Sequence, residues 1–184
     1  MLPIFYGDTS GTAQTYFNAK RLNKLGPELE VTYLAMRSTY AWELIRSIEA
    51  SGLEFDAILC PPSSTDDVRP YQEAIATRWP VVDLSENISR KGLLNARDAE
   101  TSVEDLVGSE FNYMPNRGEP NFRSVLIIDE SCSTGKTIAA VQQILWRSGL
   151  PKGALVAAAV CAKMMSRLSN SQERIRNDHE YSLP

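Results

Sequence analysis

VLIIDESCSTGKT, residues 125–137, is the stretch of this 184-residue sequence that decides the fold. Its first four residues are apolar and mostly β-branched, which is typical of a strand buried on both faces of a sheet. Two acids, Asp129 and Glu130, and a loop of small residues follow. Apolar residues at 138, 141, 144 and 145 then predict a helix over 137–148, which Gly149 ends. Strand, loop and amphipathic helix in this order indicate an α/β protein.

Outward from this stretch, short apolar runs and helical patterns continue to alternate along the chain. Strands are predicted at 31–36, 57–60, 81–84 and 154–161, and helices at 7–25, 40–50 and 71–77. Because the strands are continuous apolar runs, they predict a sheet that is covered on both faces. The fold class is therefore α/β, with a central, mainly parallel β-sheet flanked by helices.

The length of the chain predicts one domain over residues 1–165. Residues 85–123 are polar and mixed in character, and a segment of this length inside a compact domain is typically a functional loop or lid. Residues 166–184 are predicted to be a polar C-terminal tail whose charges are solvated.

The composition limits which chemistry the chain can carry out. With 19 Lys and Arg residues against 23 Asp and Glu residues, the net charge is -4, which argues against sequence-independent nucleic-acid binding. The single histidine, His179, lies close to the C-terminus, so a multi-histidine metal site is not expected. Cys60, Cys132 and Cys161 are too far apart for a zinc knuckle or a disulfide framework. Without a signal peptide or a run of about 18 apolar residues, we expect a cytoplasmic protein with no membrane partner.

The loop after the two acids has the composition of a phosphate-binding loop. In open parallel sheets, ligands sit at the carboxyl ends of the strands. A helix that begins there offers backbone N–H groups and the positive end of its dipole to an anion. Gly135 allows the backbone to close on that anion. Lys136 opposes the helix dipole at a cost of about 0.3–1 kcal/mol unless an anion is bound nearby.

A Walker A loop is the first alternative for this segment. Gly135, Lys136 and Thr137 match the end of the pattern G-x-x-x-x-G-K-[ST]. The first glycine of the pattern falls on Glu130, whose carboxylate would repel nucleotide phosphates. We therefore do not favour a P-loop nucleotide hydrolase.

Residues 125–137 resemble the signature of the type I phosphoribosyltransferase family more closely: four apolar residues, two acids and a loop ending Thr-Gly-x-Thr. The overall layout is similar to the ComF-like branch. The resemblance implies a Rossmann-like fold in which Asp129 and Glu130 are the catalytic acids. It further implies that the loop holds the 5′-phosphate of phosphoribosyl pyrophosphate (PRPP), through Ser133, Thr134, Gly135, Lys136 and Thr137.

A second match to the family lies upstream, where Phe55–Ser64 resembles the first core strand and its pyrophosphate loop. The resemblance implies pyrophosphate contacts from Pro62, Ser63, Ser64 and Arg69. It also implies that 85–123 is a flexible loop that closes over PRPP, with Arg90, Lys91 and Arg97 as its candidate cations. Residues 1–30 are the part left to form a hood over the acceptor base. A solvated loop for these cations, and simple turn chemistry for Ser63 and Ser64, remain open as the alternatives.

The function implied by the family is transfer of ribose 5-phosphate from PRPP to a nitrogenous base or related acceptor, with release of pyrophosphate. The transition state resembles an oxocarbenium ion, and carboxylates suit its growing positive charge. Mg²⁺ is the expected cofactor, carried by PRPP rather than by a direct protein ligand, with Asp129 as the candidate contact. A catalytically silent module that senses PRPP or a nucleotide is the alternative. A homodimer is compatible with either.

Overall fold

The structure, a computed structural model, describes residues 4–6, 18, 20, 26–63, 66–96, 98–115, 122–132, 134–151 and 153–163. Within these ranges seven strands and four helices are defined. The strands are β1 (Ile4–Tyr6), β2 (Ala57–Leu59), β3 (Val82–Asp83), β4 (Ile88–Arg90), β5 (Phe111–Tyr113), β6 (Ser124–Cys132) and β7 (Leu155–Lys163). The helices are α1 (Pro27–Ser51), α2 (Arg69–Arg78), the short α3 (Val103–Asp105) and α4 (Lys136–Arg147).

The central sheet has five strands in the order β1-β7-β6-β2-β3, and every neighbouring pair is parallel. From β2 the chain moves outward through α2 to β3, whereas from β6 it moves the opposite way through α4 to β7. The strand order therefore reverses between β2 and β6. In open α/β sheets, the crevice at such a reversal is the usual ligand site.

Both faces of the sheet are covered, as the continuous apolar strands predict. One face packs against α1 and α2 through Tyr40, Leu44, Ile48, Tyr71 and Ile75. The other face packs against α4 and the segment around α3 and β5. Side chains alternate between the faces along β6: Val125 and Ile127 face α4, while Leu126 and Ile128 face α1 and α2.

Most elements predicted from the sequence are confirmed. The strands at 57–60, 81–84, 125–128 and 154–161 and the helices at 40–50, 71–77 and 137–148 are present with shifted ends. Gly52 ends α1 in the left-handed conformation, and its N–H donates to the Glu49 carbonyl at 3.1 Å. In α4, Ile138, Val141, Ile144 and Leu145 are all buried, as the predicted apolar face requires.

The strand predicted at 31–36 is wrong, because these residues belong to α1. Tyr33 is buried, whereas Val31 is 67% exposed and Leu34 is 39% exposed. Tyr33, Tyr40, Leu44 and Ile48 all enter the same core, and their spacing is that of one helix face. Packing of that face outweighs the weak strand preference of Val31-Thr32-Tyr33.

Residues 85–123, predicted as a flexible loop or insertion, contain regular secondary structure in the part that the structure describes. They contain the antiparallel pair β4–β5 and the short helix α3, which continues as a π-helical turn over Leu106–Glu110. Ser102 caps α3 by accepting a hydrogen bond from the Asp105 N–H at 3.0 Å. Leu106, Val107 and Phe111 pack against α4 in the core. Apolar residues spaced among polar ones therefore anchor a segment whose average composition is that of a loop.

Other predictions fall on residues outside the described ranges. These are the helix at 7–25, apart from Asn18 and Lys20, and the C-terminal tail at 166–184. Within residues 1–30, the predicted hood, Ile4–Tyr6 is an edge strand of the central sheet and α1 begins at Pro27, and the hood itself stays a prediction.

The placement of 31–36 in a helix has a measurable consequence. We expect Ile48→Ala, at a fully buried site, to lower the free energy of unfolding by about 2–5 kcal/mol. Val31→Ala, on the exposed side of the same helix, should leave it within about 0.5 kcal/mol or raise it, because alanine is the better helix former. Urea denaturation measures both. A clear loss of stability in Val31→Ala would contradict the helical assignment.

Candidate functional site

A cavity of about 790 Å³ opens at the carboxyl ends of β2 and β6, where the strand order reverses. The end of β2 contributes Pro61, Pro62 and Ser63 to its wall. The end of β6 and the start of α4 contribute the residues from 129 to 132 and from 134 to 138. The remaining walls come from Lys20, Val68 and the segment between β4 and β5. Two stretches far apart in sequence therefore share one cavity because their strands are parallel neighbours.

The turn into α4 is set by Gly135, which has φ 75° and ψ 0° in the left-handed region. A side chain there is strained whatever space surrounds it, although a Cβ atom would meet only the Cys132 Sγ at 3.8 Å. The Gly135 carbonyl accepts the first helical hydrogen bond, from Ala139 at 2.9 Å. The positive end of α4 consequently faces the cavity.

Lys136 lines the cavity, and its ammonium group is bound by backbone carbonyls. Its Nζ donates to the carbonyl oxygens of Asp98 at 2.9 Å and Thr101 at 2.7 Å, with Ala99 at 3.5 Å. These three carbonyls disperse the ammonium charge that would otherwise oppose the helix dipole. Lys136 thereby ties the segment between β4 and β5 to the first turn of α4.

The two adjacent acids point to different sides of the sheet. Because side chains alternate along a strand, Asp129 continues the row that faces α4, and Glu130 the row that faces α1 and α2. Glu130 pairs with Lys20, whose Nζ also lies 2.7 Å from Asp67 Oδ2. The Tyr33 hydroxyl donates to the other Asp67 oxygen at 3.0 Å. Glu130 is thus connected through Lys20 and Asp67 to the buried face of α1.

Lys20 keeps its charge in this setting. Burial lowers the pKa of its ammonium group, but the hydrogen bonds and charges of Asp67 and Glu130 outweigh burial and raise the pKa above its ordinary value. The cavity therefore holds one fixed ammonium group beside the second acid at neutral pH.

Glu110 fixes the segment between β4 and β5 from inside. Its side chain is fully buried and pairs with the Arg90 guanidinium. Its two oxygens also accept hydrogen bonds from three consecutive backbone N–H groups, those of Gly92 at 3.1 Å, Leu93 at 2.8 Å and Leu94 at 2.9 Å. Arg90 Nη2 donates in turn to the Leu94 carbonyl at 2.8 Å. These hydrogen-bond donors compensate the buried carboxylate for the water it has lost.

The balance of forces on Glu110 favours its ionised form. Burial acts to raise the pKa of Glu110, but the hydrogen bonds from Arg90 and from the Leu94 and Leu93 N–H groups outweigh it. The pKa is consequently lowered from its ordinary value.

The cavity gathers most of the site residues predicted from the sequence, but not all of them. Arg69 and Lys91 do not line it: Arg69 pairs with Glu73 at 2.9 Å on the surface, and Lys91 is exposed. Ser64, Ser133 and Arg97 lie outside the described residues. The predicted residues that line the cavity are Pro62, Ser63, Arg90, Asp129, Glu130, Thr134, Gly135, Lys136 and Thr137.

Several residues of the site carry no signal in the sequence that would have singled them out. Lys20 is one cation in a polar stretch, 110 positions away from Glu130. Asp67 and Glu110 look like ordinary surface acids. Only the fold shows that Glu110 is buried and that Asp67 shares the Lys20 ammonium. The sequence predicts Cys132 in the loop after the acids, but Cys132 is the last residue of β6 and lines the cavity.

The three cysteines are buried and free of disulfide bonds. Burial raises the pKa of the Cys60 thiol to about 12, and Asp83 and Asp129 act in the same direction. A thiol with such a pKa is protonated at neutral pH and is a poor nucleophile.

In the part of the chain that the structure describes, no group of three or more His, Cys, Asp or Glu side chains is arranged to hold a metal ion. None of the helices in these ranges has the length and apolar character needed to cross a bilayer.

No protein-family model matches the sequence, and no curated protein is significantly similar to it. The function is therefore inferred from the residues of the site and their surroundings.

The buried carboxylate predicts a pH-dependent stability. We expect Glu110→Gln to lower the free energy of unfolding by about 1–3 kcal/mol at neutral pH. The folded-state pKa of Glu110 lies below its unfolded value of about 4.3. Its contribution is thus present above that value and is lost as the pH falls through the folded-state pKa. Urea denaturation across this range measures the difference. Glu104→Gln, an exposed acid of α3, is the control, and a difference that persists unchanged in acid would contradict this role.

Lys136 predicts a local effect on the segment it holds. Lys136→Met removes the ammonium that three carbonyls share, so the backbone amides of residues 98–105 should exchange with deuterium several-fold faster. The exposed Lys91→Met serves as the matched control, with wild-type exchange expected. Unchanged protection of residues 98–105 in Lys136→Met would show that the segment is held without this side chain.

Proposed function

We propose that this protein is a phosphoribosyltransferase that transfers ribose 5-phosphate from PRPP to a nitrogenous base or a related acceptor. It belongs, on this proposal, to the type I phosphoribosyltransferase family that its sequence resembles. Its cavity is then the PRPP site, and Asp129 and Glu130 are its acids.

One observation carries the proposal. The two stretches that resemble the family, Phe55–Ser64 and Val125–Thr137, end on neighbouring parallel strands and line the same cavity. The upstream match is informative mainly through its position ahead of residues 125–137, and the pairing of β2 with β6 brings the two stretches together. Their meeting at the reversal of strand order is what a site for one ligand with two phosphate-bearing ends requires.

The proposed reaction forms a bond between an acceptor nitrogen and C1 of the ribose, while the bond from C1 to the pyrophosphate oxygen breaks. The bonding electron pair leaves with pyrophosphate, and the acceptor nitrogen gives up a proton to solvent. Positive charge grows on the ribose ring during this exchange. The Asp129 and Glu130 carboxylates are suited to hold the ribose hydroxyls and to stabilise that charge. The start of α4 is suited to hold the 5′-phosphate.

The donor set of the cavity fits Mg²⁺ only as part of a complex with the ligand. Mg²⁺ commonly binds through one or two carboxylates together with substrate phosphates. Asp129 faces the cavity, and it is the side chain that would hold the ion. When bound, the ion would offset the charge of the departing pyrophosphate.

A PRPP-binding module without turnover is the second candidate, and a specific observation favours it. Charged groups predicted to contact the phosphates are engaged with the protein itself: Lys136 with carbonyls, Arg90 with Glu110, and Arg69 with Glu73. Glu130 is paired with Lys20 as well. A site of this kind is preorganised for binding, but it leaves few mobile cations for the leaving group.

Two measurements separate the candidates. Calorimetry with Mg·PRPP and with Mg·ATP identifies the ligand, and pyrophosphate release with a panel of bases detects turnover. We expect PRPP to bind, ATP not to compete, and at least one base to release pyrophosphate. PRPP binding without release for any base would support the module, and absence of PRPP binding would overturn both candidates.

A double variant of Asp129 and Glu130 tests whether these acids take part in the proposed reaction. Asp129→Asn combined with Glu130→Gln should reduce pyrophosphate release by at least about 10³-fold, because two carboxylates that stabilise the transition state are lost. The control is Glu100→Gln combined with Glu104→Gln, two exposed acids of the same charge, which should keep wild-type rates. Circular dichroism checks that both variants fold. Wild-type turnover by the first variant would disprove the role of the acids.

A further inference from the structure

Lys20 has a position in the site that the proposed reaction does not by itself explain. Its ammonium lies between the Glu130 and Asp67 carboxylates and lines the cavity. The side chains of the three residues are 24%, 13% and 20% exposed, so the group is largely screened from bulk water. Behind it, the Tyr33 hydroxyl donates to Asp67, and Tyr33 is itself a buried residue of α1.

We propose that Lys20 is a positioning residue, which holds the Glu130 carboxylate in one orientation at the edge of the cavity. Asp67 and Tyr33 hold Lys20 in turn. The inference rests on the proposed function for the identity of the ligand, but not for the contacts themselves.

The need for such a residue follows from the two sides of β6. Asp129 projects towards α4, whereas Glu130 projects towards α1 and α2. A glutamate side chain has several rotatable bonds, and ordering it costs free energy. A fixed ammonium restricts Glu130 to the orientation in which it can accept a hydrogen bond from a ligand hydroxyl. The same charge offsets a carboxylate that would otherwise repel an anionic ligand.

The second carboxylate gives this arrangement its rigidity. A lysine side chain is flexible, and a single ion pair would leave the ammonium free to follow Glu130. Asp67 holds the ammonium from the other side at 2.7 Å, and the Tyr33 hydroxyl at 3.0 Å restrains Asp67. The orientation of Glu130 therefore depends on a residue in the core of the domain.

A double-mutant cycle on the dissociation constant of Mg·PRPP tests the inference. In the wild type, Lys20→Met should weaken binding about tenfold, because it leaves Glu130 both mobile and unbalanced in charge. In the Glu130→Gln background, the same change should weaken binding less than about twofold. Lys20→Arg should recover most of the wild-type affinity, and Tyr33→Phe should lose a smaller factor than Lys20→Met. Arg147→Met, an exposed cation at the end of α4 away from the cavity, is the control and should keep wild-type affinity. Equal losses in both backgrounds would overturn the inference, because Lys20 would then act independently of Glu130.

A second measurement needs no ligand and keeps the two proposals apart. Acetic anhydride modifies lysine amines, and mass spectrometry gives the rate at Lys20 relative to Lys91. The ion pairs protect Lys20, so its rate should rise several-fold in Glu130→Gln and in Asp67→Asn, while Lys91 stays unchanged. An unchanged Lys20 rate in both variants would overturn the positioning role even if PRPP binds. If the wild-type protein does not bind PRPP but the variants show the expected modification rates, the proposed function is overturned and the positioning role of Lys20 stands.

Discussion

Parallel pairing of β6 with β2 on one side and β7 on the other is the constraint on which the site depends. Parallel strands end at the same edge of the sheet, so the segments that follow β2 and β6 must emerge side by side. The crossover helices then leave in opposite directions, and a crevice opens between them. Every other element of the site occupies a wall of that crevice. The segment between β4 and β5 covers it on the α4 side, and Lys20 with Asp67 borders it on the α1 side.

The charges of the site are organised around carboxylates that the protein itself satisfies. Glu110 is buried with a guanidinium and three amides, and Glu130 is held by an ammonium that Asp67 shares. Desolvation offsets most of the attraction within a buried ion pair, although removing one partner alone is costly because the other charge is left unpaired. What these groups provide is a defined geometry, since charge-assisted hydrogen bonds have preferred directions and restrain each carboxylate. The walls of the cavity are accordingly held in place by contacts within the protein itself.

A feature of this fold could be predicted from the sequence when it depends on neighbouring residues, and could not when it depends on residues far apart in the chain. The strand at 125–128 and the helix after it follow from local hydrophobic patterns, and so does the candidate loop between them. The failure at 31–36 shows the limit of local preference, since core packing of Tyr33 decided the helix. Within 85–123, likewise, local composition does not reveal that Leu106 and Glu110 are buried. Lys20 and Asp67 enter the site through contacts between segments tens of residues apart, which no local pattern encodes.

The contacts of Lys136 show that residues 125–137 are not a self-contained structural unit. Its ammonium uses carbonyl oxygens that lie 35 to 38 positions earlier in the chain. A protein engineer who grafted residues 125–137 onto another parallel sheet would transfer the acids, the glycine turn and the start of the helix. The lysine would arrive without its acceptors and would face the helix dipole directly. Residues 125–137 therefore keep the contacts of Lys136 only together with the segment between β4 and β5, and the two form one structural unit.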